Sequence, residues 1–268
     1  MKWNSYKVLF YFYLKRLLED KFLFILILIA SIFMQSSWLV FNENFRKILE
    51  GVQQENVSNP AIFSLNNSLL LSLIFIIFIT LSLGLRYVKF SLKKENILFF
   101  SCIGIKREIY SQSLWFFLIL INCVILTLFL IISYLVVFFH NFIDSFMLKR
   151  ILLVYLFGVL SMSFFMFGIL ISNEIMGVIL FFLSLGMSLS IENISFNIWK
   201  SPWWLKIPFF AVYPFIPRFH QIAYFILCPD NMVFLQKYVI IQSICLITLL
   251  LVIINSRLKI YILNRLYE

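Results

Sequence analysis

The chain has 268 residues, of which 63% are hydrophobic, 19% aromatic and 13% charged, and its formal net charge is +10. This composition excludes a soluble globular domain, because the polar residues are too few to cover a core of that size. Charge-free apolar runs recur six times, each near the length that crosses about 30 Å of hydrocarbon. Backbone amides in lipid must pair within their own segment, so the runs predict helices. We therefore expect an all-α polytopic membrane protein with a single transmembrane domain over residues 1–268.

Residues 1–21 mix apolar side chains such as Phe10 with cations such as Lys7 and Lys15. This pattern favours a helix in the inner membrane interface, and a cytoplasmic continuation of the first span is the alternative. The apolar run that follows, Phe22–Phe41, is too long for the h-region of a secretory signal and lacks a small-x-small cleavage motif. We expect it to be a retained transmembrane helix.

The six predicted spans share the absence of Lys, Arg, Asp and Glu. They are Phe22–Phe41, Asn66–Leu85, Leu114–Phe139, Ile151–Ser172, Ile175–Ile191 and Tyr238–Asn255. The fifth is short for a span and carries three serines in its second half. Only Asn173-Glu174 separates the fourth run from the fifth, so these two are predicted to form a tight hairpin.

The distribution of positive charge predicts the orientation. Five Lys/Arg precede the first run, six lie between the second and third runs, and three follow the last run, which makes 14 of the 22. Excess Lys/Arg marks the cytoplasmic side, so we expect a multi-pass protein of a bacterial cytoplasmic membrane with both termini cytoplasmic. Contact with anionic lipid and this topology explain the net charge without a nucleic-acid partner.

Residues 192–237, before the last run, are rich in aromatic residues and interrupted by prolines. The segment is too apolar for a solvated loop and too broken for a span, which favours a re-entrant pair of short helices. Such backbone is tolerated only beside protein or a water-filled cavity, so the segment is predicted to border a conduit or a subunit seam. An aromatic interfacial loop that serves packing alone is the alternative. The residues singled out here are Trp203, Trp204, Pro214, Pro217, Arg218 and Phe219.

The twelve acidic residues all lie outside the predicted spans. This argues against proton- or sodium-coupled transport and against an intramembrane hydrolase, although Glu174 and Glu192 lie at the ends of the fifth run. Neither His140 and His220 nor the four cysteines have the spacing of metal ligands. No phosphate-binding G-x-x-x-x-G-K-[ST] motif occurs. We therefore expect a protein that is not an enzyme, with no catalytic, metal or cofactor site in this chain.

Residues 86–113, here called the basic island, hold six cations between the second and third runs. Their pattern predicts a short helix, a turn at Gly104 and a new helix start. We expect the short helix to present Ile97, Leu98 and Phe100 to a groove on a soluble partner. Periodicity alone is equally compatible with an apolar strip that rests on the bilayer.

This order of elements resembles the permease subunits of ABC-2 type ABC transporters. These have an amphipathic helix, two spans, a cytoplasmic "coupling" helix with a turn and a basic restart, and further spans. The local match is Lys94-Glu95 … Leu98 … Gly104-Ile105-Lys106-Arg107-Glu108-Ile109, where the family usually has Pro near the turn. The resemblance covers the topology of nearly the whole chain and a motif of about 20 residues.

The resemblance implies the transmembrane permease subunit of an ATP-driven exporter. A dimer with a second copy or a homologue would form the conduit, and a cytoplasmic ATPase dimer would carry ATP and Mg. The residues implied in ATPase docking are Glu95, Ile97, Leu98, Phe100 and Gly104, and those implied in anchoring at the inner interface are Lys106 and Arg107.

Two other functions remain open. One is an ABC-type membrane assembly or maturation factor, for which Trp203–Phe225 would contact an extracytoplasmic partner. The other is an ATP-independent membrane enzyme or scaffold. A conduit built from charge-free spans would favour lipid-linked, amphipathic or peptide cargo over small ions.

Overall fold

A computed structural model of the chain describes residues 2–35, 60–139, 144–171, 173–199, 202–204, 206–207, 213–229 and 233–267. Its α-helices are α1 (Lys2–Glu19), α2 (Lys21–Gln35), α3 (Pro60–Leu83), α4 (Lys94–Cys102), α5 (Arg107–Phe139), α6 (Met147–Ile171), α7 (Glu174–Trp199), α8 (Phe219–Leu227) and α9 (Val233–Tyr267). A π-helical turn, Gly84–Val88, and a last turn, Lys89–Ser91, extend α3. Within these ranges no strand occurs, and the all-α prediction is confirmed there.

Four helical stretches of the described residues are long and apolar enough to cross a membrane. They are Leu65–Ser91, Arg107–Leu135, Met147–Ile171 and Leu235–Asn264, which correspond to the second, third, fourth and sixth predicted runs. The first and fifth runs correspond to shorter apolar helices, Lys21–Gln35 and Glu174–Leu189. Residues 36–41 of the first run lie outside the described part of the chain.

Helix α6 lies at the centre of the bundle. It contacts α3, α5, α7, α8 and α9, and it is buried on several faces, as expected of a helix that is apolar all round. Small residues allow the close approach of its neighbours. At Gly158, an added Cβ would lie 2.2 Å from Leu126 Cδ1 of α5, and the Gly158 carbonyl accepts a 2.9 Å hydrogen bond from Asn122 Nδ2.

Helices α6 and α7 form the tight hairpin that the sequence predicts. The Asn173 side chain accepts a 2.8 Å hydrogen bond from the Met176 amide, which satisfies one of the free N–H groups at the start of α7. The two backbones meet at Gly168 and Gly177, where a Cβ added to Gly177 would lie 2.9 Å from the Ile169 nitrogen. The hairpin therefore depends on a backbone contact that leaves no room for a side chain.

Helix α1 packs on α5 through one face. Leu9 and Tyr13 are fully buried, and the Tyr6 hydroxyl donates a 2.5 Å hydrogen bond to Gln112 Oε1. Burial raises the pKa of Tyr13 to about 12, so its phenol stays protonated at neutral pH. The opposite face leaves Tyr11 exposed, as an amphipathic helix requires.

Three ion pairs gather the cationic segments at one end of the bundle, here called the basic end. Arg86 Nη1 lies 2.6 Å from Asp20 Oδ1 at the α1–α2 junction. Lys89 pairs with Glu174 at the α6–α7 turn, at 3.2 Å. Lys259 of α9 pairs with Glu108 at the start of α5, at 3.1 Å. The segments assigned to one side of the membrane from the sequence therefore meet at one end of the fold.

Replacement of Gly177 by Ala is expected to destabilise the protein. The new Cβ would press on the backbone of α6, and overpacking of this kind costs about 1–3 kcal/mol, more than the 0.5–1 kcal/mol that Ala gains in a helix. Gly186→Ala, on the same helix, is the matched control, because nothing lies within 4 Å of its Cβ. Thermal unfolding in mild detergent measures both variants, and equal midpoints would contradict the packing described here.

Candidate functional site

The short helix α4 is held at both ends by its own chain. Before it, Asn96 Nδ2 donates a 2.7 Å hydrogen bond to the Phe90 carbonyl. After it, the Ile105 N–H donates a hydrogen bond to the Phe100 carbonyl, and the Gly104 N–H donates one to the Ser101 carbonyl, both at 3.0 Å. Gly104 has φ of +79°, so this is a Schellman turn that uses glycine. The predicted short helix, glycine turn and helix restart are present, and α5 begins at Arg107.

The inner face of α4 is part of the protein core. Ile97 is 3% exposed and Phe100 is 2% exposed. The Phe100 ring lies 5.0 Å from that of Phe12 in α1 and 5.5 Å from that of Tyr110 in α5. The expectation that Ile97 and Phe100 are exposed is therefore wrong, because Phe12 of α1 and Tyr110 of α5 pack on Phe100 and α9 also contacts α4.

The outer face of α4 carries an exposed strip formed by Glu95, Leu98 and Phe99, and Ile103, which follows the last residue of the helix, continues it. Phe99 is 59% exposed, and Leu98 and Ile103 are also exposed. Glu95 is exposed in the first turn of the helix. The spacing i, i+3, i+4 and i+8 places them along one side of a helix. Counting from Glu95 by this spacing would have identified Phe99 and Ile103, which the sequence interpretation did not assign to the site.

Two grooves lie at the basic end. One, of about 860 Å³, is lined by residues that include Lys93, Glu95 and Glu174. The other, of about 530 Å³, is lined by residues that include Lys106 and Arg107. Lys106 and Arg107 are exposed at the start of α5, where the sequence places them. The first groove therefore reaches the strip at Glu95, among side chains of both charges.

At the opposite end, the segment predicted to be re-entrant is divided between core and surface. Helix α7 runs to Trp199, past Glu192, where the segment was predicted to begin. Phe219 starts α8 and packs with its ring 5.5 Å from Phe157 and 5.9 Å from Phe181. The Ser188 hydroxyl accepts a 2.8 Å hydrogen bond from the His220 amide, which ties α8 to α7.

The six residues singled out in this segment are not brought together. Trp203 and Trp204 are largely exposed, as is Pro214, whereas Pro217 is buried. Arg218 and Phe219 are fully buried. The segment contains the short helix α8, and the predicted re-entrant pair stays a prediction, because residues 205 and 208–212 lie outside the described part of the chain.

Arg218 is the largest of the fully buried side chains. Its Nε donates a 3.1 Å hydrogen bond to Gln242 Oε1 of α9, and its Cζ lies 3.8 Å from the centre of the Tyr213 ring. Gln242 Nε2 in turn donates 2.9 Å to the Pro214 carbonyl. The Arg218 guanidinium is therefore held against the candidate span Leu235–Asn264. The sequence analysis did not place a charged group beside any of the predicted spans.

A second buried arginine at this end is paired with a carboxylate. Arg150 Nη1 donates a 2.5 Å hydrogen bond to Asn66 Oδ1, and its Nε lies 3.4 Å from Asp144 Oδ2. The Tyr134 hydroxyl donates 3.0 Å to the same carboxylate oxygen. The sequence analysis did not identify this network, which links α3, α5 and α6.

No protein-family model, characterised protein or solved structure matches this chain. The resemblance to ABC-2 permeases thus rests on the order of elements and on the motif around α4. No group of His, Cys, Asp and Glu in the described residues could hold a metal ion.

Substitution of Gly104 tests the turn that ends α4. Alanine at φ of +79° costs about 1–2 kcal/mol because its Cβ crowds the following carbonyl, and nothing lies within 4 Å of that Cβ to add a clash. Asparagine tolerates this conformation better, so we expect Gly104→Asn to unfold at a higher temperature than Gly104→Ala. Equal loss in both variants, measured by thermal unfolding in detergent, would contradict the turn.

Asp144→Asn is expected to lower the free energy of unfolding by about 3–5 kcal/mol, because it leaves the buried Arg150 charge without a counter-ion. Glu174→Gln is the matched control, since its pair with Lys89 is exposed and such pairs contribute at most about 1 kcal/mol. Denaturant unfolding in detergent measures the difference. Similar losses in the two variants would refute the network.

Proposed function

We propose that this protein is the membrane permease subunit of an ATP-driven ABC exporter, coupled to a separate ATPase. In this proposal α2 and α7 supply the first and fifth of six spans, and both termini and the basic end face the cytoplasm of a bacterial cell. Two permease chains form the conduit in the inner membrane. A dimer of ATPase subunits supplies ATP hydrolysis, which requires no nucleotide site in this chain.

The observation that carries the proposal is that one face of α4 is buried in the core while the other face is exposed. Its inner residues, Ile97 and Phe100, lock the helix to the core, while Leu98 and Phe99 remain outside. An exposed apolar side chain on a firmly held helix is suited to a groove on a partner protein. A mobile loop with the same residues would not transmit force.

The contacts of α4 provide a route from a docked partner to the membrane helices. The bond from Asn96 to the Phe90 carbonyl connects α4 to the end of α3. The turn at Gly104 connects it to the start of α5. The Tyr110 hydroxyl donates a 2.6 Å hydrogen bond to the Ser91 carbonyl and ties those two ends together. A displacement of α4 would therefore move α3 and α5 together, as a rigid-body switch requires.

A second candidate is an ABC-type assembly or maturation factor that transmits ATPase motion to an extracytoplasmic partner. Exposed Trp203 and Trp204, at the end opposite to α4, favour this candidate. Tryptophan is enriched both at membrane interfaces and in protein contacts. Transport of labelled cargo into inverted vesicles would favour the exporter over this candidate.

Leu98→Asp is expected to abolish co-purification of an ATPase with this chain, because the aspartate would place a desolvated charge in an apolar groove. The measurement is affinity purification in mild detergent, followed by identification of the bound chains and assay of ATP turnover. Leu98→Met is the matched control: it conserves apolar volume and should retain the partner.

An ATPase that binds Leu98→Asp and wild type equally, with equal turnover, would refute the docking role. An unchanged unfolding midpoint is expected for Leu98→Asp, since the side chain is already partly in solvent. This separates loss of docking from loss of fold.

A further inference from the structure

Two terminal nitrogens of a buried cation lack hydrogen-bond acceptors in this protein. Arg218 is 1% exposed, yet its Nη1 and Nη2 have no hydrogen-bond partner in the described structure. Only Nε is bonded, to the neutral Gln242. The face of the Tyr213 ring adds a cation–π contact. Among the residues whose side chains the structure describes, no carboxylate bonds these two nitrogens.

This arrangement is costly unless an anion completes it. A guanidinium group cannot lose its proton in a protein, and a buried charge without a counter-ion costs several kcal/mol. Arg150 shows how the same chain buries an arginine at no such cost: it pairs with Asp144 and bonds Asn66. The two arginines differ in that Arg218 has free donors for a group with negative charge.

A helix N-terminus adds to the positive potential at Arg218. The nine-residue helix α8 begins at Phe219. The Ile222 N–H donates a 3.0 Å hydrogen bond to the Arg218 carbonyl, so Arg218 is the N-cap residue of this helix. Helix N-termini carry a partial positive charge that attracts anions. The guanidinium and the helix start therefore favour the same kind of ligand.

An apolar groove of about 320 Å³ runs beside this charge. Its walls include Pro214 and Phe215 on one side, and Tyr238, Ile241 and Gln242 of α9 on the other. Gln242 belongs both to the groove and to the hydrogen bonds of Arg218. It lies seven residues after Leu235, where a candidate span begins, which is about 10 Å along the helix.

We propose that Arg218 and the groove beside Gln242 bind an amphiphile with an anionic group. Its phosphate or carboxylate contacts Nη1 and Nη2 of Arg218 in the bidentate manner typical of arginine, and its aliphatic chain lies in the groove. Because Arg218 is fully buried and does not itself line the groove, entry of the anion in this proposal requires movement of Gln242, which lines the groove and accepts the Arg218 hydrogen bond. The site is independent of ATPase docking, which concerns the basic end of the protein.

The test uses the purified full-length protein in mild detergent and three probes. These are a short-chain phosphatidic acid, the diacylglycerol with the same chains, which lacks the phosphate, and inorganic phosphate. Ligand that binds the native state raises the unfolding temperature, so we expect a rise with phosphatidic acid alone. Arg218→Gln should weaken the apparent affinity for phosphatidic acid by roughly 10- to 100-fold, the loss that corresponds to a charge-assisted hydrogen bond. Lys237→Gln, which removes an exposed cation on α9, should change it less than about threefold.

Stability without ligand supplies a second readout. Arg218→Gln should unfold at the same or a higher temperature than wild type, because it removes an uncompensated buried charge. A clear fall would show that the fold itself balances the charge, which would overturn the proposal. An unchanged response of Arg218→Gln to phosphatidic acid would overturn it as well.

The probes separate the parts of the ligand. Equal shifts with diacylglycerol and phosphatidic acid would refute anion recognition. A full, Arg218-dependent shift with inorganic phosphate alone would refute the role of the aliphatic chain and leave a site for a free anion.

Discussion

The cost of placing charge within an apolar helical bundle governs the organisation of this protein. At the basic end, cations lie in partly exposed pairs with Asp20, Glu108 and Glu174, where water screens them and each pair contributes little. At the opposite end, Arg150 is buried and has Asp144 as its counter-ion. Arg218 is buried without a described counter-ion. Sites at which a fold tolerates such a cost are candidates for function, which is why Arg218 stands apart from the other cations.

Core packing and contact with a partner are assigned to different helices, α6 and α4. Helix α6 forms the centre of the bundle and is fitted to its neighbours through Gly158, Gly168 and Gly177, so its packing is specific. Helix α4 lies at the periphery but is fixed to the core by Ile97 and Phe100. A peripheral helix held this firmly, with apolar residues outward, is suited to pass a displacement to the spans. The bundle and the strip together support the permease proposal.

Features encoded by neighbouring residues were predictable from the sequence. The apolar runs, the α6–α7 hairpin and the glycine turn at Gly104 each follow from a few consecutive side chains. Contacts between distant segments were not predictable. The burial of Phe100 depends on Phe12, and the position of Arg218 depends on Gln242; no local pattern shows which helix will cover another. For the same reason, charge-free spans in the sequence did not exclude a guanidinium against one of them.

The most direct test of the permease proposal is photo-cross-linking in intact membranes. A photoreactive amino acid in place of Phe99, the exposed aromatic residue of the strip, reports what contacts α4 before any detergent is added. The same probe at Val124, exposed on the middle of α5, is the control for contact with lipid. We predict that Phe99, and not Val124, is cross-linked to a chain with a phosphate-binding motif that hydrolyses ATP. Adducts of Phe99 with lipid or with this chain alone would contradict the proposal.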